Sequence, residues 1–445
     1  MEHLNAILGP VIERPTIRLI LDRLLTEGHR AMLVGGVVRD GLLGHAPEDV
    51  DILTDAPAVR VEQLFSDQKT RLVGVSFPII LVNGVEVATS RAGADFPKSD
   101  LSHRDLTINA MAWDPVNRSL VDPFGGQQDL KARVVRFTGD PEDRIAADPI
   151  RMIRACRFAA RLGGTIEPAS FEAICKRNGW IIQRTAAERR RMEVVKAMAM
   201  DKPSLFFNLL YDTGLLTHIF PSLARCYDLD GGPHHGETVF EHCLLVGDAL
   251  PAKRPLLRLA GYLHDTGKFD AAVIKDGKLT FAGHEKCWDA MEKDLMELRF
   301  SNKEIQYIRS MFRGHMRPLY PDSTPRAVRR LMAMLDELAL SHEDFLRMRI
   351  ADRKGNRAKP PYTLSEIRVR LEKIMAAKNR QTAFNINDLK ISGKEIQTIL
   401  GLEQGPAIGQ AKAQLFEMVL ETPDLNTHSN LVQQLLKIKH GKTNG

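Results

Sequence analysis

The sequence predicts an α+β domain at the N-terminus that is followed by entirely helical domains. From about residue 143 onward, apolar residues recur at helical spacing, whereas the first part of the chain mixes helical stretches with short runs rich in β-branched residues. Residues 1–30 also read as helical. The short runs, each of which predicts a strand, are 31–34, 50–53, 71–74, 78–82 and 85–89.

Changes of composition divide the chain into four predicted domains. A stretch rich in Pro, Gly and His at 221–237 and the stretch KGNRAKPPYT near 354–365 are typical of linkers. The predicted domains are a mixed α/β head at 1–136, a helical neck at 137–225, a third helical domain at 226–355 and a helical tail at 356–445.

Composition favours a globular protein in a reducing compartment. Hydrophobic residues make up 44% of the 445 residues and charged residues 27%. No apolar run approaches the roughly 18 residues that span a bilayer, and the first residues do not resemble a secretory signal. The five scattered cysteines form no CxxC pair, so we expect a cytoplasmic setting. The net charge of +6 permits a polyanionic partner.

Two glycines, Gly35 and Gly36, follow the first predicted strand and precede a predicted helix. Glycine lets the backbone approach a ligand closely, and amides at the start of a helix attract anions. We therefore assign triphosphate binding to this turn, with charge-assisted hydrogen bonds from Arg39. A tight turn between strand and helix is the alternative interpretation.

Asp49 and Asp51 are predicted to lie on one strand, two residues apart, so that both carboxylates leave the same face. Glu86, in the predicted strand VEVAT, is a third candidate carboxylate. Like charges held this close need a cation, and Mg²⁺ prefers oxygen ligands. We predict a catalytic magnesium site at these residues; an exposed acidic turn is the alternative.

Motifs in a fixed order along residues 31–220 point to one family. The stretch GGVVRDGLLGHAPEDVDIL at 35–53 resembles the signature of class II tRNA nucleotidyltransferases and bacterial poly(A) polymerases, in the DNA polymerase beta superfamily. The later motifs that resemble this family are Ser102–Met111, Asp122–Gly126 with Asp129 and Leu130, Asp148–Arg151 with Arg154 and Arg157–Phe158, and Glu188–Arg189 with Glu193.

The resemblance implies a DNA polymerase beta-like mixed sheet and nucleotidyl transfer to an RNA 3′ end from CTP and ATP. It assigns ribose binding to Arg104 and Asp105. Asp148 and Arg151 would hydrogen-bond the incoming base, since one only accepts and the other only donates. Ribose and triphosphate would be held by Arg154 and Arg157.

Two departures from the family pattern bear on the product. Ala147 stands where the family usually has glutamate, directly before Asp148. The segment 92–103 between Arg91 and Arg104 is shorter than the flexible loop of enzymes that add the whole CCA end, and it resembles enzymes that add only two cytidines. CCA addition to tRNA therefore stands beside CC addition and poly(A) synthesis.

A second group of residues resembles the HD phosphohydrolase domain that some bacterial tRNA nucleotidyltransferases carry after the neck. Imidazoles and carboxylates together suit a divalent transition metal. This resemblance implies cleavage of phosphomonoesters or 2′,3′-cyclic ends. The predicted ligands are His242, His264, Asp265 and Asp352, with His284 and His315 as further candidates.

The tail resembles that of family members with an HD domain, in which it holds the tRNA elbow. Lys390, Lys394 and Lys412 are predicted to contact phosphates, with solubility as the alternative reason for these lysines. Two further classes remain open for the whole chain: a hydrolase whose head only binds RNA, and a non-catalytic RNA-binding module. The sequence does not fix the oligomeric state.

Overall fold

The computed structural model describes residues 2–73, 78–90, 95–379 and 383–441. Gly74 of a predicted strand, Arg91 and residues 92–94 of the short loop lie outside these ranges. The chain divides into two compact units. The first consists of Met1–Ala197 and Leu205–His218, and the second of Met198–Ser204 and Ile219–Gly445. The four predicted domain bounds remain predictions.

A seven-stranded mixed sheet forms the framework of the first unit. Its strands lie in the order β3-β4-β5-β2-β1-β6-β7. Strands β2 and β5 are parallel, and the other neighbours are antiparallel. The strands are β1 (Ala31–Val34), β2 (Asp51–Thr54), β3 (Thr70–Val73), β4 (Ile79–Val82), β5 (Val85–Thr89), β6 (Ala112–Asp114) and β7 (Ser119–Val121).

Helices pack around this sheet and make up most of the chain up to residue 219. A short parallel pair, Val134–Val135 with Thr165–Ile166, joins two of the helical segments. The helices are Glu2–Ile12, Pro15–Thr26, Gly36–Leu42, Ala58–Leu64, Lys98–Leu101, the 3₁₀ turn Thr107–Asn109, Gly126–Ala132, Pro141–Ala147, Ile150–Leu162, Pro168–Arg177, Trp180–Gln183, Ala187–Met198, Ser204–Asp212 and Leu216–Ile219.

Among the described residues after 219, the regular structure is helical apart from one hairpin, Val273–Lys275 with Lys278–Thr280. Two helices approach closely at Gly247, where an added Cβ would lie 2.4 Å from the ring of Tyr262. The helices are Pro221–Ala224, Val239–Ala249, Pro255–Leu263, Lys268–Ala271, the 3₁₀ turn His284–Lys286, Asp289–Glu297, Asn302–Gly314, Pro325–Glu337, His342–Gly355, Leu364–Asn379, the 3₁₀ turn Ile386–Asp388, Gly393–Leu400, Pro406–Glu421, the 3₁₀ turn Pro423–Leu425 and His428–Gly441.

The α+β head followed by helices is confirmed, with corrections in detail. Strands β6 and β7 were not predicted, and the hairpin at 273–280 interrupts a region that was predicted to be helical. The placement of Asp49 on a strand is wrong, because β2 begins at Asp51. The reason lies in β1, which ends at Val34 opposite Asp51, so that residues before Asp51 have no partner in this ladder.

The core of the head lies around the inner strands of the sheet. The inner strands β1 and β2 are almost fully buried, as expected for the centre of a sheet that helices cover. One apolar cluster joins Met32, Val34 and Leu53 to Phe96 and Leu101. Within the described residues, no helix has both the length and the apolarity that crossing a membrane requires.

Candidate active site and candidate metal centre

Three carboxylates lie together near the start of β2 and β5. Asp51 is the first residue of β2, and Glu86 is its register partner on the parallel strand β5. The two-residue hairpin turn at Asn83 and Gly84, both with positive φ, sets the register of β5 with its other neighbour, β4. Asp49 lies in the bend before β2 and is exposed. The structure therefore brings together the three carboxylates that the sequence singled out.

The negative charges of these three carboxylates repel one another. Burial raises the pKa of Asp51; Arg104 opposes this increase, and the neighbouring Asp49 adds to it. Burial also raises the pKa of Glu86, and the charges of Asp51 and Asp49 raise it further. Both carboxyls are thus destabilised in their charged form, which is the situation that a bound cation relieves.

The turn at Gly35 makes room for Arg104. Gly35 has a φ of +78°, which side chains other than glycine rarely adopt. A Cβ there would lie 2.3 Å from Nη1 of Arg104, so the guanidinium rests directly against the glycine backbone. Gly36 begins the next helix. Gly35 therefore leaves room for Arg104 in the turn. Burial lowers the pKa of this guanidinium, and the charge of the nearby Asp51 opposes that decrease.

Arg39, whose contact with a triphosphate stays a prediction, is buried next to the turn. Only 5% of the residue is exposed. Its Nη1 donates to Oδ1 of Asn109 at 2.5 Å, and its Nε donates to Asp40 at 3.0 Å. Its guanidinium also lies 4.8 Å from the ring centre of Phe158. These contacts fix the guanidinium of Arg39 and connect the helix after the turn to Asn109 and Phe158.

Asp105 is the centre of a second buried network. Its Oδ2 accepts from Nε of Arg154 at 2.7 Å, and its Oδ1 accepts from the amide nitrogens of Leu106 and Asn109. Burial opposes the charged form, but Arg154 and these donors hold the pKa of Asp105 below its ordinary value. Asp105 thus ties the segment after Arg104 to the arginine-bearing helix Ile150–Leu162.

Arg157 is also buried and is paired with a carboxylate. Its Nε donates to Oε2 of Glu193 at 2.6 Å, and both residues are buried. Its guanidinium lies 4.5 Å from the centre of the Phe158 ring. Glu193 also lies 3.7 Å from Arg154. The helix Ala187–Met198 therefore supports the arginine helix through Glu193, which belongs to the motif with Glu188 and Arg189.

Asp148 and Arg151, the predicted base-selecting pair, lie at the start of the arginine helix. Arg151 donates to the backbone oxygens of His103 at 3.0 Å and Arg144 at 3.2 Å, which fixes its guanidinium. Both oxygens of Asp148 accept from Arg189, at 3.0 and 2.6 Å. This bidentate partner was not among the predicted site residues, although the motif Glu188–Arg189 had been recognised.

The motif around Asp122 has a structural role in this fold. Both carboxylate oxygens of Asp122 accept from backbone amides at the start of the helix Gly126–Ala132, at 2.7 and 2.8 Å. Asp129 in the same helix accepts from the hydroxyl of Thr107 at 2.7 Å. These bonds fix the 3₁₀ turn Thr107–Asn109, which follows Arg104 and Asp105.

In the second unit, six predicted ligands meet in one buried cluster. They come from separate helices and from the turns that end them, so only the fold brings them together. Asp265 is 3% exposed and His242 is completely buried. The cluster consists of His242, His264, Asp265, His284, His315 and Asp352.

Three of these imidazoles are held in one tautomer by the backbone. In each case Nδ1 is within hydrogen-bond distance of a carbonyl oxygen, which only an N–H can satisfy, so a neutral ring presents a bare Nε2 to the cluster. These pairs are His264 with Gly261 at 2.8 Å, His284 with Phe281 at 3.0 Å and His315 with Phe312 at 2.6 Å.

Glu237 and His235 extend the cluster and were missed. Oε1 of Glu237 lies 2.8 Å from Nδ1 of His235 and 3.2 Å from Nδ1 of His242. Burial alone would lower the pKa of His242, but hydrogen bonds with Asp352 and Glu237 raise it to about 9. The sequence offered one signal, since Glu237 directly precedes the capping box of Thr238 and Glu241 that starts the helix bearing His242.

The predicted tail lysines lie on the surface of the second unit. Lys390 and Lys394 are exposed. Lys412 donates from Nζ to Asn387 at 3.0 Å and is half-buried. Lys390 and Lys394 lie within the segment 386–400, and Lys412 contacts Asn387 of the same segment. Glu395 of this segment also pairs with His428 of the last helix at 2.8 Å.

Comparison with known proteins identifies the family. Residues 31–99 and 83–136 match the family model "Poly A polymerase head domain", and residues 164–227 match "Probable RNA and SrmB- binding site of polymerase A". The A-adding tRNA nucleotidyltransferase of Deinococcus radiodurans is 32% identical over 408 residues, covering 87% of this chain and 91% of that enzyme. The chain belongs to the class II tRNA nucleotidyltransferase and poly(A) polymerase family. It is therefore a nucleotidyltransferase with a requirement for divalent metal.

Other members of this family match over shorter segments. The CCA-adding enzyme of Bacillus subtilis is 37% identical over 202 residues, which are 41% of this chain and 49% of that enzyme. The chain thus aligns with about half the length of that relative. The matched family models end at residue 227, so the histidine cluster lies beyond them.

Solved structures of family members share the fold along almost the whole chain. The Bacillus stearothermophilus CCA-adding enzyme in complex with CTP has a TM-score of 0.67 at 22% identity, covering 97% of this chain and 99% of that one. The Thermotoga maritima CCA-adding enzyme, complexed with tRNA(CCA), has a TM-score of 0.59 at 20% identity, with coverage of 97% and 98%. At these identities the likeness is one of fold.

Proposed function

We propose that the chain adds nucleotides from CTP and ATP to the 3′ end of tRNA, in CCA addition and repair. The observation that carries this proposal is the carboxylate cluster, in which Asp51 and Glu86 are register partners on parallel strands beside Asp49. In a family of nucleotidyltransferases, such a cluster is where the reacting phosphate and the RNA hydroxyl meet.

Mg²⁺ is the cation that fits these side chains. All three offer hard oxygen ligands, and both Asp51 and Glu86 have raised pKa values that a cation would reverse. Bound there, Mg²⁺ would supply charge neutralisation for the attacking hydroxyl and the leaving pyrophosphate. Asp49 and Asp51 would be its main ligands, with Glu86 as the third carboxylate.

The chain's own contribution is to orient the nucleotide. Arg104, held against Gly35, offers positive charge beside Asp51 for a phosphate or ribose oxygen. Asp148 offers acceptors and Arg151 offers donors for the edge of the base, and each is itself fixed by hydrogen bonds. Orientation of this kind accounts for much of the acceleration in phosphoryl and nucleotidyl transfer.

Several products are compatible with nucleotidyl transfer, and we propose CCA among them. The relative that aligns over nearly its full length is an A-adding enzyme, whereas several that align over about half are CCA-adding enzymes. The short segment 92–103 instead favours addition of two cytidines, and its first residues lie outside the described structure. Poly(A) synthesis is the remaining alternative within the family.

Sequencing of reaction products tests all four alternatives. tRNA ending at the discriminator base, and the same tRNA ending in CC, are incubated with CTP, ATP or both. We expect CCA on the first substrate and A on the second. Addition of CC alone would show a CC-adding enzyme. Addition of A only to the CC-ending tRNA would show an A-adding enzyme, and a long A run would show a poly(A) polymerase.

We propose a second, separate function for the histidine cluster: metal-dependent hydrolysis of RNA-end phosphates. Two buried atoms, Nε2 of His264 and Oδ1 of Asp265, make no hydrogen bond among the described residues, which suits a divalent transition metal in their place. The cluster opens onto a cavity of about 280 Å³. Four basic side chains line this cavity and favour a phosphate: Lys268, Arg349, Arg353 and Lys359.

Paired variants separate the two functions. Replacement of His264 and Asp265 by alanine should abolish release of phosphate from p-nitrophenyl phosphate and ring opening of a 2′,3′-cyclic nucleotide to its monophosphate, and should leave nucleotide incorporation into tRNA unchanged. If incorporation is lost in a protein that still folds, as judged by circular dichroism, the two functions are not separate. We place both activities in the cytoplasm, where tRNA and reduced thiols are found.

A further inference from the structure

The bend before β2 carries Asp49 without support from the sheet. Asp51 and Glu86 are placed by the pairing of β2 with β5, whereas Asp49 is exposed and precedes the first residue of β2. Within the described residues, positions 46–49 make no backbone–backbone hydrogen bond. The position of the Asp49 carboxylate therefore depends on contacts from outside the sheet.

Arg14, at the junction of the two N-terminal helices, makes such a contact. Its Nη1 donates to the backbone oxygen of Glu48 at 3.0 Å, and its Nη2 donates to that of Pro47 at 2.7 Å. The planar fork of a guanidinium fixes both the distance and the orientation of two acceptors. Because the carbonyl of Glu48 belongs to the peptide bond with Asp49, these bonds fix the peptide plane from which the aspartate extends.

The backbone of Arg14 is itself held in place. Arg14 is the N-cap residue of the helix Pro15–Thr26, and its oxygen accepts from the amide of Arg18 at 2.9 Å. Val11 before it and Ile17 after it are almost fully buried, at 2% and 3% exposure. The guanidinium therefore projects from a packed junction of two helices onto the bend.

We propose that Arg14 is a positioning residue for nucleotidyl transfer, which acts by holding Asp49 in place for the divalent cation. The inference rests on the proposed role of Asp49 as a magnesium ligand. Groups that hydrogen-bond behind metal ligands orient them, and their loss typically lowers metal affinity by about 10- to 100-fold. The matched head model begins at residue 31, so this support comes from a segment outside it.

Binding of Mn²⁺ tests this role without catalysis. The full-length protein carries His264→Ala and Asp265→Ala, which remove the histidine cluster, and electron paramagnetic resonance measures free Mn²⁺ during a titration. In this background we expect Arg14→Ala to raise the dissociation constant of Mn²⁺ by about 10-fold. Arg14→Lys should have an intermediate effect, because an ammonium lacks the fork that holds two carbonyls in one plane.

Arg18→Ala is the matched control. Arg18 lies four residues after Arg14 and pairs with Glu13 and Asp22, which do not belong to the carboxylate cluster. This variant should bind Mn²⁺ with the affinity of the parent. A loss in Arg18→Ala as large as the loss in Arg14→Ala would overturn the proposal.

Incorporation kinetics give a second readout. Arg14→Ala should lower kcat by about 10-fold and raise the Mg²⁺ concentration for half-maximal activity, with an unchanged KM for tRNA, because the substitution displaces a metal ligand. A purely structural role would lower the melting temperature and leave the Mg²⁺ dependence as in the parent. That second pattern would overturn the proposal.

Asp49→Asn separates this inference from the proposed function. If Asp49→Asn loses Mn²⁺ affinity and Arg14→Ala keeps it, the carboxylate site stands and the role of Arg14 is overturned. If Asp49→Asn binds Mn²⁺ as the parent does, the carboxylate site itself is wrong. Circular dichroism checks folding, and if Arg14→Ala does not fold, Arg14→Lys is judged by the same criteria.

Discussion

At the scale of single residues, Arg189 is the least expected partner of the proposed base-selecting pair Asp148 and Arg151. It holds both carboxylate oxygens of Asp148, whereas Ala147, where the family usually has glutamate, has no polar side chain to help fix the selector. A bidentate guanidinium fixes a carboxylate in position and plane. If Asp148 selects the base as proposed, Arg189 is a positioning residue that acts through it.

Replacement of Arg189 by alanine should lower kcat/KM for the correct nucleotide by about 100-fold, because a displaced selector no longer orients the base. The kcat/KM values for UTP and GTP should fall less, so that the ratio of kcat/KM for the correct nucleotide to that for UTP or GTP decreases. Arg189→Lys should restore little, since lysine cannot bind both oxygens in one plane. Single-turnover assays with each of the four nucleotides measure this effect.

Arg60→Ala is the matched control, because it removes another arginine, half-buried as a residue, that pairs with a carboxylate, Glu27, in the same unit. It should keep the parent selectivity. Equal losses for all four nucleotides in Arg189→Ala would indicate general damage and contradict a role in selection.

The sequence predicted this site unevenly. The residues that could be placed were those with a local reason: Gly35 before a helix, or Asp51 on a strand with Glu86 on another. Whether an arginine faces the nucleotide is decided by its partners. Arg39 and Arg157 are buried against Asn109 and Glu193, which lie 70 and 36 residues further along the chain, and no local pattern reveals such pairs.

At the scale of elements, close backbone contacts position the 3₁₀ turn Thr107–Asn109. Gly126 starts the helix that Asp122 caps, and an added Cβ would lie 2.2 Å from the backbone oxygen of Thr107. Because the obstacle is backbone, the helix and the 3₁₀ turn at Thr107–Asn109 would have to separate. That turn follows directly on Arg104 and Asp105.

Gly126→Ala should lower the free energy of unfolding by about 1–3 kcal/mol through this overpacking. Gly409→Ala provides the opposite control, since Gly409 is an exposed helical residue with open space around it. The same substitution there should stabilise its helix by about 1 kcal/mol. Urea denaturation followed by circular dichroism measures both changes, and a neutral Gly126→Ala would contradict the contact.

Element boundaries show why the fold was predicted better than its details. The strand at 85–89 was predicted correctly because it is a compact β-branched run. Strands β6 and β7 have only three residues each, and their pairing with β1 and with each other stabilises them more than local propensity does. Asp49 was assigned to a strand because spacing alone cannot show where the partner strand ends.

At the scale of the whole molecule, a net charge of +6 suits a polyanionic substrate such as tRNA. The exposed lysines of the tail are candidates for phosphate contacts. Such contacts favour binding because they release counterions from the nucleic acid. Such contacts strengthen binding to any sequence and weaken as salt increases.

Lys390→Ala combined with Lys394→Ala should weaken tRNA binding and reduce the slope of log Kd against log salt by about 2. Lys275→Ala with Lys278→Ala removes two exposed lysines from the hairpin of the same unit and is the control. Fluorescence anisotropy across a salt series measures both. An unchanged slope in the tail variant would indicate that these lysines serve solubility.

The central claim is nucleotidyl transfer at the carboxylate cluster, and incorporation of radiolabelled nucleotide into tRNA measures it most directly. Asp49→Asn with Asp51→Asn should reduce incorporation at least about 1000-fold, because the reaction loses its charge stabilisation. Glu62→Gln, at an exposed glutamate of the same unit, should keep the parent rate. Incorporation by the double variant at the parent rate would contradict the claim.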